Sequence, residues 1–96
     1  MLSGDFNMRP DDPVKQSISG EFDNGAPALL DAWQVSEGDA AHPFSFCLYD
    51  QSYAPPHCCD FIFTSKDLAH RVRRVAYIQE TRASDHQPVL LELAVT

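Results

Sequence analysis

The alternation of apolar and polar positions predicts a set of short strands in this chain of 96 residues. The last apolar run, residues 88–95, is predicted to be a strand, and Pro88 fits only at its first position because proline cannot donate to the ladder. Further strands are predicted over residues 44–48, 59–64 and 72–78, and the arginines of the last of these place it nearer a sheet edge. Side chains alternate between the two faces of a strand. One face of the final strand is therefore expected to carry Val89, Leu91, Leu93 and Val95.

Two segments favour helix. Asp12 suits the N-cap and Pro13 suits the first helical position, so a helix is expected from there to Gly20. Residues 28–33 are apolar around one acid, and the spacing of their large side chains predicts a short helical turn packed on the core.

Composition is that of a globular protein, because 44% of the residues are hydrophobic, and the length allows one small domain. No apolar run approaches the roughly 20 residues that cross a bilayer, so no membrane span is expected. The formal net charge of -7 does not favour a general affinity for nucleic acid phosphates. It does not exclude a phosphate substrate, because bound divalent cations reverse the local potential.

The cysteines do not form the pattern of a disulfide framework, since there are three of them and two are adjacent. A reducing cytoplasm and a structural role for these residues are the expected interpretation. The alternative is a small metal-binding module that uses His57, Cys58 and Cys59, although zinc sites usually contain spaced pairs.

Side chains that carry chemistry occur at three places, each beside a predicted strand. Asp5 and Asn7 are two residues apart near the start of the chain. Asp60 stands near the start of an otherwise apolar strand, and a lone buried charge is costly, so Asp60 should have a partner. Asp85 and His86 come just before the last strand, so they are expected to be held by a rigid element and to be accessible to solvent. Each segment taken alone is also explained by an ordinary polar turn or strand end.

Three motifs in this order resemble the endonuclease/exonuclease/phosphatase family, which includes exonuclease III, deoxyribonuclease I, inositol polyphosphate 5-phosphatases and neutral sphingomyelinases. They are Gly-Asp-Phe-Asn at residues 4–7, Asp-Phe-Ile-Phe at residues 60–63 and Ser-Asp-His-Gln-Pro-Val at residues 84–89. Leu-Asp-Ala-Trp at residues 30–33 is similar to the family's usual segment between the first two motifs. The resemblance covers essentially the whole chain.

The resemblance implies a hydrolase of phosphate esters that depends on Mg²⁺ or Mn²⁺. It implies that Asp5 orients or deprotonates the attacking water and that Asn7 hydrogen-bonds the substrate phosphate. His86 is expected to contact the scissile phosphate, with Asp60 as its carboxylate partner. Asp85 and Asp5 are the expected metal ligands. Since one phosphate must reach these groups together, we expect the five side chains to converge at one end of the sheet.

The chain resembles the C-terminal half of the family's proteins. The family carries an asparagine, a metal-binding glutamate and a second histidine ahead of Gly-Asp-Phe-Asn, and only three residues precede that motif here. The implied fold is α+β, the C-terminal half of a four-layer α/β sandwich with a mostly antiparallel sheet and flanking short helices. Residues 1–96 are therefore interpreted as a single partial domain whose N-terminal half is absent.

The expected function is divalent-metal-dependent hydrolysis of phosphate esters, by a phosphodiesterase, nuclease or phosphatase whose site is incomplete in this chain. The expected substrate is nucleic acid or a small phosphodiester. The alternative is a non-catalytic fragment or interaction domain that keeps the family fold and self-associates through its open sheet face. Alone, the chain is expected to be nearly inactive and poorly stable as a monomer.

Overall fold

Antiparallel strands and short helices form an α+β fold. The structure is a computed structural model and describes residues 1–19 and 29–95. No helix within these two ranges has the length and apolar character needed to cross a bilayer. In chain order the elements are β1 (Leu2–Asp5), α1 (Pro13–Ser19), β2 (Leu29–Asp31), α2 (Ala32–Glu37), β3 (Asp60–Ser65), a 3-10 helix (Lys66–Arg71), β4 (Val72–Tyr77) and β5 (Val89–Leu93).

The strands form two antiparallel sheets rather than the single sheet that was expected. β3 lies in the middle of the first sheet, between β1 and β2, and β4 pairs with β5 in the second. β1 pairs with residues 60–63 of β3 and β2 pairs with residues 63–65, and β5 contacts β3 without joining its sheet. β1 is an edge strand, and each of its four residues is exposed.

The core is built around the alternation of β3. Phe61 and Phe63 are 1% and 0% exposed and point to one face, whereas Asp60 begins the other face. Phe6 packs edge-on against Phe63 with ring centroids 5.2 Å apart, which anchors the turn that follows β1. The buried cluster comprises Met8, Ala32, Cys58, Phe61, Phe63, Val75 and Tyr77.

The predicted start of helix α1 is confirmed. The Asp12 carboxylate accepts a hydrogen bond from the N–H of Val14 at 2.9 Å, and Pro13 is the first helical residue. Lys15 is buried on the inner side of this helix. Gly20, where the helix was expected to stop, lies outside the described residues.

The helical turn predicted for residues 28–33 is wrong in its first half. Ala28 lies outside the described residues, and the next three residues form β2, which pairs with the C-terminal half of β3. Helix begins at Ala32 because Oδ1 of Asp31 accepts a hydrogen bond from the N–H of Trp33 at 3.0 Å and caps α2. Strand pairing across the sheet therefore overrides the local helical spacing.

The strand predicted for residues 44–48 is also wrong. Phe46 makes isolated bridges to His57 and His86, and the segment belongs to neither sheet. Cys47 follows with a φ of 61°, a left-handed conformation that ends an extended segment.

The other predicted strands are confirmed, with a shorter final strand. β3 and β4 begin and end within one residue of their expected bounds. In β5, Val89 and Leu91 pack against the core, as their alternation predicted. Val95 does not share this face, because β5 ends at Leu93 and Val95 is 91% exposed.

Candidate active site

Two carboxylates face each other across the pairing of β1 and β3. Asp5 ends β1, Asp60 begins β3, and the antiparallel register places them directly opposite one another. Side chains at such positions lie on the same side of the sheet with Cβ atoms about 4.5–5.5 Å apart, and like charges there are destabilising. A cation or a hydrogen-bond donor between the two carboxylates would relieve this repulsion.

His86 supplies that donor. Its Nδ1–H donates to Oδ2 of Asp60 at 2.8 Å, and its Nε2 lies 3.6 Å from Oδ2 of Asp5. An ionised carboxylate only accepts hydrogen bonds, so the neutral ring carries its proton on Nδ1. The hydrogen bond that the sequence predicted between His86 and Asp60 is present. The ring is 31% exposed, so part of it is accessible to a ligand.

A buried serine holds Asp60 in place. Ser45 has no exposed surface, and its hydroxyl donates to the same Oδ2 of Asp60 at 2.8 Å. The Ser45 Oγ also accepts hydrogen bonds from the N–H groups of Cys59 and Asp60, at 3.0 and 3.2 Å. The Tyr77 hydroxyl donates to the carbonyl of Asp60 at 2.9 Å. Carboxylate and backbone are therefore fixed together at the start of β3.

The orientation of the His86 ring is set by its neighbours. Phe46 stacks on the ring with centroids 4.4 Å apart and an interplanar angle of 27°. The backbone N–H of His86 donates to Oγ of Ser84 at 3.1 Å. The N–H of Gln87 donates to the carbonyl of Ser45 at 2.7 Å, which joins this segment to the residue that holds Asp60.

Asn7 and Asp85 lie at the margin of this cluster. The N–H of Asn7 donates to Oδ1 of Asp5 at 2.8 Å, in a turn where Asn7 has a φ of 52°. Asp85 is exposed and accepts a hydrogen bond from Ser84 Oγ at 3.3 Å. The structure thus brings Asp5, Asp60 and His86 together and places the other two expected residues beside them. A cavity of about 460 Å³ next to the site is lined by Asn7, Met8, Arg9, Phe46, Tyr53, Ala54 and His57.

The charges around His86 favour its protonated form. Partial burial lowers the pKa of His86, but the hydrogen bond and charge of Asp60 and the charges of Asp5 and Asp85 together raise it above its usual value. The ring therefore carries a positive charge over a wider pH range than a free histidine. A cationic donor that is partly open to solvent is suited to an anionic ligand.

Cys59 adds a thiol to the site. Its Sγ lies 3.5 Å from Oδ2 of Asp60, and the residue is buried. Burial, together with the charges of Asp60 and Asp5, raises the pKa of the Cys59 thiol to about 12. The thiol is therefore protonated near neutral pH and is not an activated nucleophile.

Asp5, Cys59 and His86 bring three metal-ligating atoms together. One oxygen, one sulfur and one nitrogen lie within 4.8 Å of one another, and Asp85 is not a member of this group in the part of the chain that the structure describes. The group contains Cys59 but neither His57 nor Cys58, the other members of the alternative metal module. Cys58 instead packs in the hydrophobic core.

Comparisons with known proteins do not assign the chain to a family. It matches no family model, no curated protein and no solved structure. The resemblance to the endonuclease/exonuclease/phosphatase family therefore depends on the three sequence motifs.

A second carboxylate and imidazole pair lies within the protein interior. Oδ2 of Asp31 is 2.6 Å from Nε2 of His42 and 3.0 Å from Nζ of Lys15, and these three side chains are 1%, 5% and 3% exposed. Burial raises the pKa of Asp31, but hydrogen bonds and charges from His42 and Lys15 lower it below its usual value overall. Since the three side chains are almost fully buried, this cluster joins α1, the end of β2 and the loop that carries His42.

The sequence did not identify Ser45 or Phe46 as parts of the site, and it offered Cys59 only as a ligand of the alternative metal module. Ser45 carried one available signal, since it is a small hydroxyl residue between two phenylalanines in an apolar run. Such a residue needs a hydrogen-bond partner when it is buried, and here the partner is Asp60. Phe46 carried no comparable signal, because an aromatic residue beside a strand is ordinary core material.

Proposed function

We propose that this site hydrolyses phosphate esters. The observation that carries the proposal is the His86 ring between two carboxylates, with Nδ1 bonded to Asp60 and Nε2 turned toward Asp5. A carboxylate behind a histidine fixes its tautomer and favours its charged form, which is a strong donor to a phosphate oxygen. The three ordered motifs that resemble the endonuclease/exonuclease/phosphatase family support the same reaction class.

Each residue has a separate task in this mechanism. The protonated Nε2 of His86 donates to a non-bridging phosphate oxygen and stabilises the charge that develops there. The Asp5 carboxylate orients the attacking water and accepts its proton. The bond from the water oxygen to phosphorus forms as the bond to the ester oxygen breaks, and the leaving oxygen takes a proton from solvent. The Asn7 side-chain amide donates to the phosphate, and Asp60 positions the imidazole.

The donors that come together do not fit a magnesium site. Mg²⁺ takes oxygen ligands in near-octahedral geometry, whereas the described group offers one carboxylate, one thiol and one imidazole. Asp85, the second expected carboxylate, is exposed and bonded to Ser84. The proposed mechanism therefore uses neither Mg²⁺ nor Mn²⁺. Hydrolysis measured with each ion and with a chelator tests whether either ion is required.

The proposal extends to the finer architecture, in which the chain is the C-terminal half of a four-layer α/β sandwich. Leu2 on the exposed strand β1 is 43% exposed, and Leu90 on β5 is 41% exposed. A partner sheet about 10 Å away would cover side chains of this kind. The three buried free cysteines, Cys47, Cys58 and Cys59, support the cytoplasm as the compartment.

A second candidate function is that of an interaction domain without catalysis. The observation in its favour is the exposed edge strand β1, whose unpaired backbone groups offer a template for another strand. This candidate differs from the first in requiring association without hydrolysis.

The test is hydrolysis of bis(p-nitrophenyl) phosphate by the purified chain with Mg²⁺, Mn²⁺ or a chelator, alone and mixed with the N-terminal half of a related enzyme. His86→Gln replaces the cationic imidazole with a neutral amide, and it is expected to lower turnover by at least about 100-fold. His70→Gln is the matched control, because His70 is an exposed histidine on the 3-10 helix, and it should leave turnover unchanged.

Two results would reject the hydrolase proposal. One is the absence of hydrolysis above background in the presence of every ion and of the added half. The other is hydrolysis that His86→Gln and His70→Gln affect equally. Concentration-dependent association without hydrolysis would favour the interaction domain instead.

A further inference from the structure

We infer that Asp5, Cys59 and His86 bind a zinc ion, with Asp60 orienting the histidine. A carboxylate oxygen, a thiolate sulfur and an imidazole nitrogen are the ligand types that zinc accepts. Thiolate and imidazole select zinc over magnesium, which prefers oxygen donors. The donor set that fails to fit a magnesium site therefore fits a zinc site.

The spacing of the donors is close to that of a tetrahedral site. Ligand atoms at zinc bonding distances lie about 3.3–3.6 Å from one another. Nε2 of His86 and Oδ2 of Asp5 are already 3.6 Å apart, and all three donors lie within 4.8 Å of one another. The remaining closure, about 1 Å for the longest pair, requires small movements of the Cys59 and Asp5 side chains, and Asp5 is 48% exposed and able to change rotamer.

The groups that would orient the histidine ligand are also present. Histidines that bind zinc donate their other ring N–H to a carboxylate or carbonyl, which fixes the tautomer and ring orientation. The Nδ1–H of His86 donates to Asp60 at 2.8 Å, so the lone pair of Nε2 is directed toward the site. Ser45 holds Asp60, and Phe46 stacks on the imidazole, so the histidine has little freedom to turn away.

The site is open to an incoming ion and leaves one coordination position for water. Asp5 and His86 are partly exposed, and Cys59 lies beneath them as the buried donor. On binding, a bond forms from Sγ of Cys59 to zinc, and the S–H proton passes to solvent. Because the ion takes Nε2 of His86, zinc and a phosphate group would compete for the same nitrogen.

Binding is tested with Co²⁺ as a spectroscopic substitute for Zn²⁺ in the purified chain. One Co²⁺ per chain is expected to give a near-ultraviolet charge-transfer band from the thiolate, which added Zn²⁺ abolishes. Cys59→Ser should remove the band and weaken Zn²⁺ binding by about 10–100-fold. Cys58→Ser is the matched control, since this neighbouring buried thiol packs in the core and should leave band and affinity unchanged.

Two further variants keep the test independent of folding problems at the buried thiol. Asp5→Asn changes an exposed position, and Asp60→Asn changes the group behind the histidine. Each should keep the band and lower Zn²⁺ affinity, by about 10–100-fold for Asp60→Asn. A wild-type chain without the band, a band that survives Cys59→Ser, or unchanged affinity in Asp5→Asn would overturn the inference. These readouts measure binding alone, so their failure leaves the hydrolase proposal standing.

Discussion

Replacing Ser45 by alanine should destabilise this protein far more than the loss of one small hydroxyl suggests. Ser45 is fully buried, and its Oγ makes three contacts at once. It donates to the carboxylate of Asp60 and accepts from the backbone N–H groups of Cys59 and Asp60. Ser45→Ala removes all three contacts and supplies no replacement.

The size of the effect follows from two of those contacts. A hydrogen bond to a charged group contributes about 1.5–3 kcal/mol, and leaving a buried N–H without a partner costs about 1–3 kcal/mol. The carboxylate of Asp60 and the N–H of Cys59 are the groups concerned. We therefore expect the free energy of unfolding to fall by about 3–5 kcal/mol, a large share of the roughly 5–15 kcal/mol of a typical domain.

Urea unfolding, followed by the fluorescence of Trp33, measures the change. Ser52→Ala is the matched control, because the Ser52 hydroxyl donates to Asp50 at 2.7 Å at an exposed position. Its effect should stay within about 0.5 kcal/mol. If Ser45→Ala cost less than about 1 kcal/mol with an unchanged m-value, the argument that Ser45 supports the site would be refuted.

Three further predictions follow from the charged groups and the exposed edge. Asp60→Asn should lower the pKa of His86, which proton NMR titration in metal-free buffer measures. Because folding raises this pKa in the unmodified chain, protonated His86 stabilises the fold fully below about pH 6.5. This contribution is lost as the pH rises through the pKa of the folded state. Asp31→Asn should lower the free energy of unfolding by about 3–5 kcal/mol, since it leaves the buried charge of Lys15 without its partner. In the unmodified chain folding lowers the pKa of Asp31, so the ionised carboxylate stabilises the fold above pH 3.8, and this contribution is lost as the pH falls through the pKa of the folded state. Acid unfolding of the unmodified chain and of Asp31→Asn measures the difference. Leu2→Lys should reduce concentration-dependent association in sedimentation, and equal association of the two chains would show that β1 is not the contact.

The elements that the sequence predicted correctly are those decided by local chemistry. The start of α1 was predictable because Asp12 and Pro13 carry the capping signal themselves. The segment at residues 44–48 alternates like a strand, but Phe46 bridges two distant segments and Cys47 adopts a positive φ. Tertiary contacts, which local alternation does not contain, decided that outcome.

The same distinction applies to the site. That Asp60 has a partner was predictable, because a lone acid in an apolar strand needs one, and the family resemblance implied that the partner is His86. The placement of Cys59 was not predictable, since its approach to Asp5 depends on the register between β1 and β3. The catalytic roles assigned to Asp5, Asn7 and His86 stay predictions.

The pairing of β1 with β3 gives the two facing carboxylates unequal local stability. Asp60 begins a strand that pairs with β1 and, farther along, with β2, and its own N–H donates to the buried Oγ of Ser45. Asp5 ends a strand that is paired on one side and exposed along its length, a combination typical of segments that open at low free-energy cost. A ligand that bridges Asp5 and Asp60 would couple β1, which opens easily, to β3, which opens rarely. Its binding should therefore slow hydrogen exchange at the amides of β1 more than at those of β3.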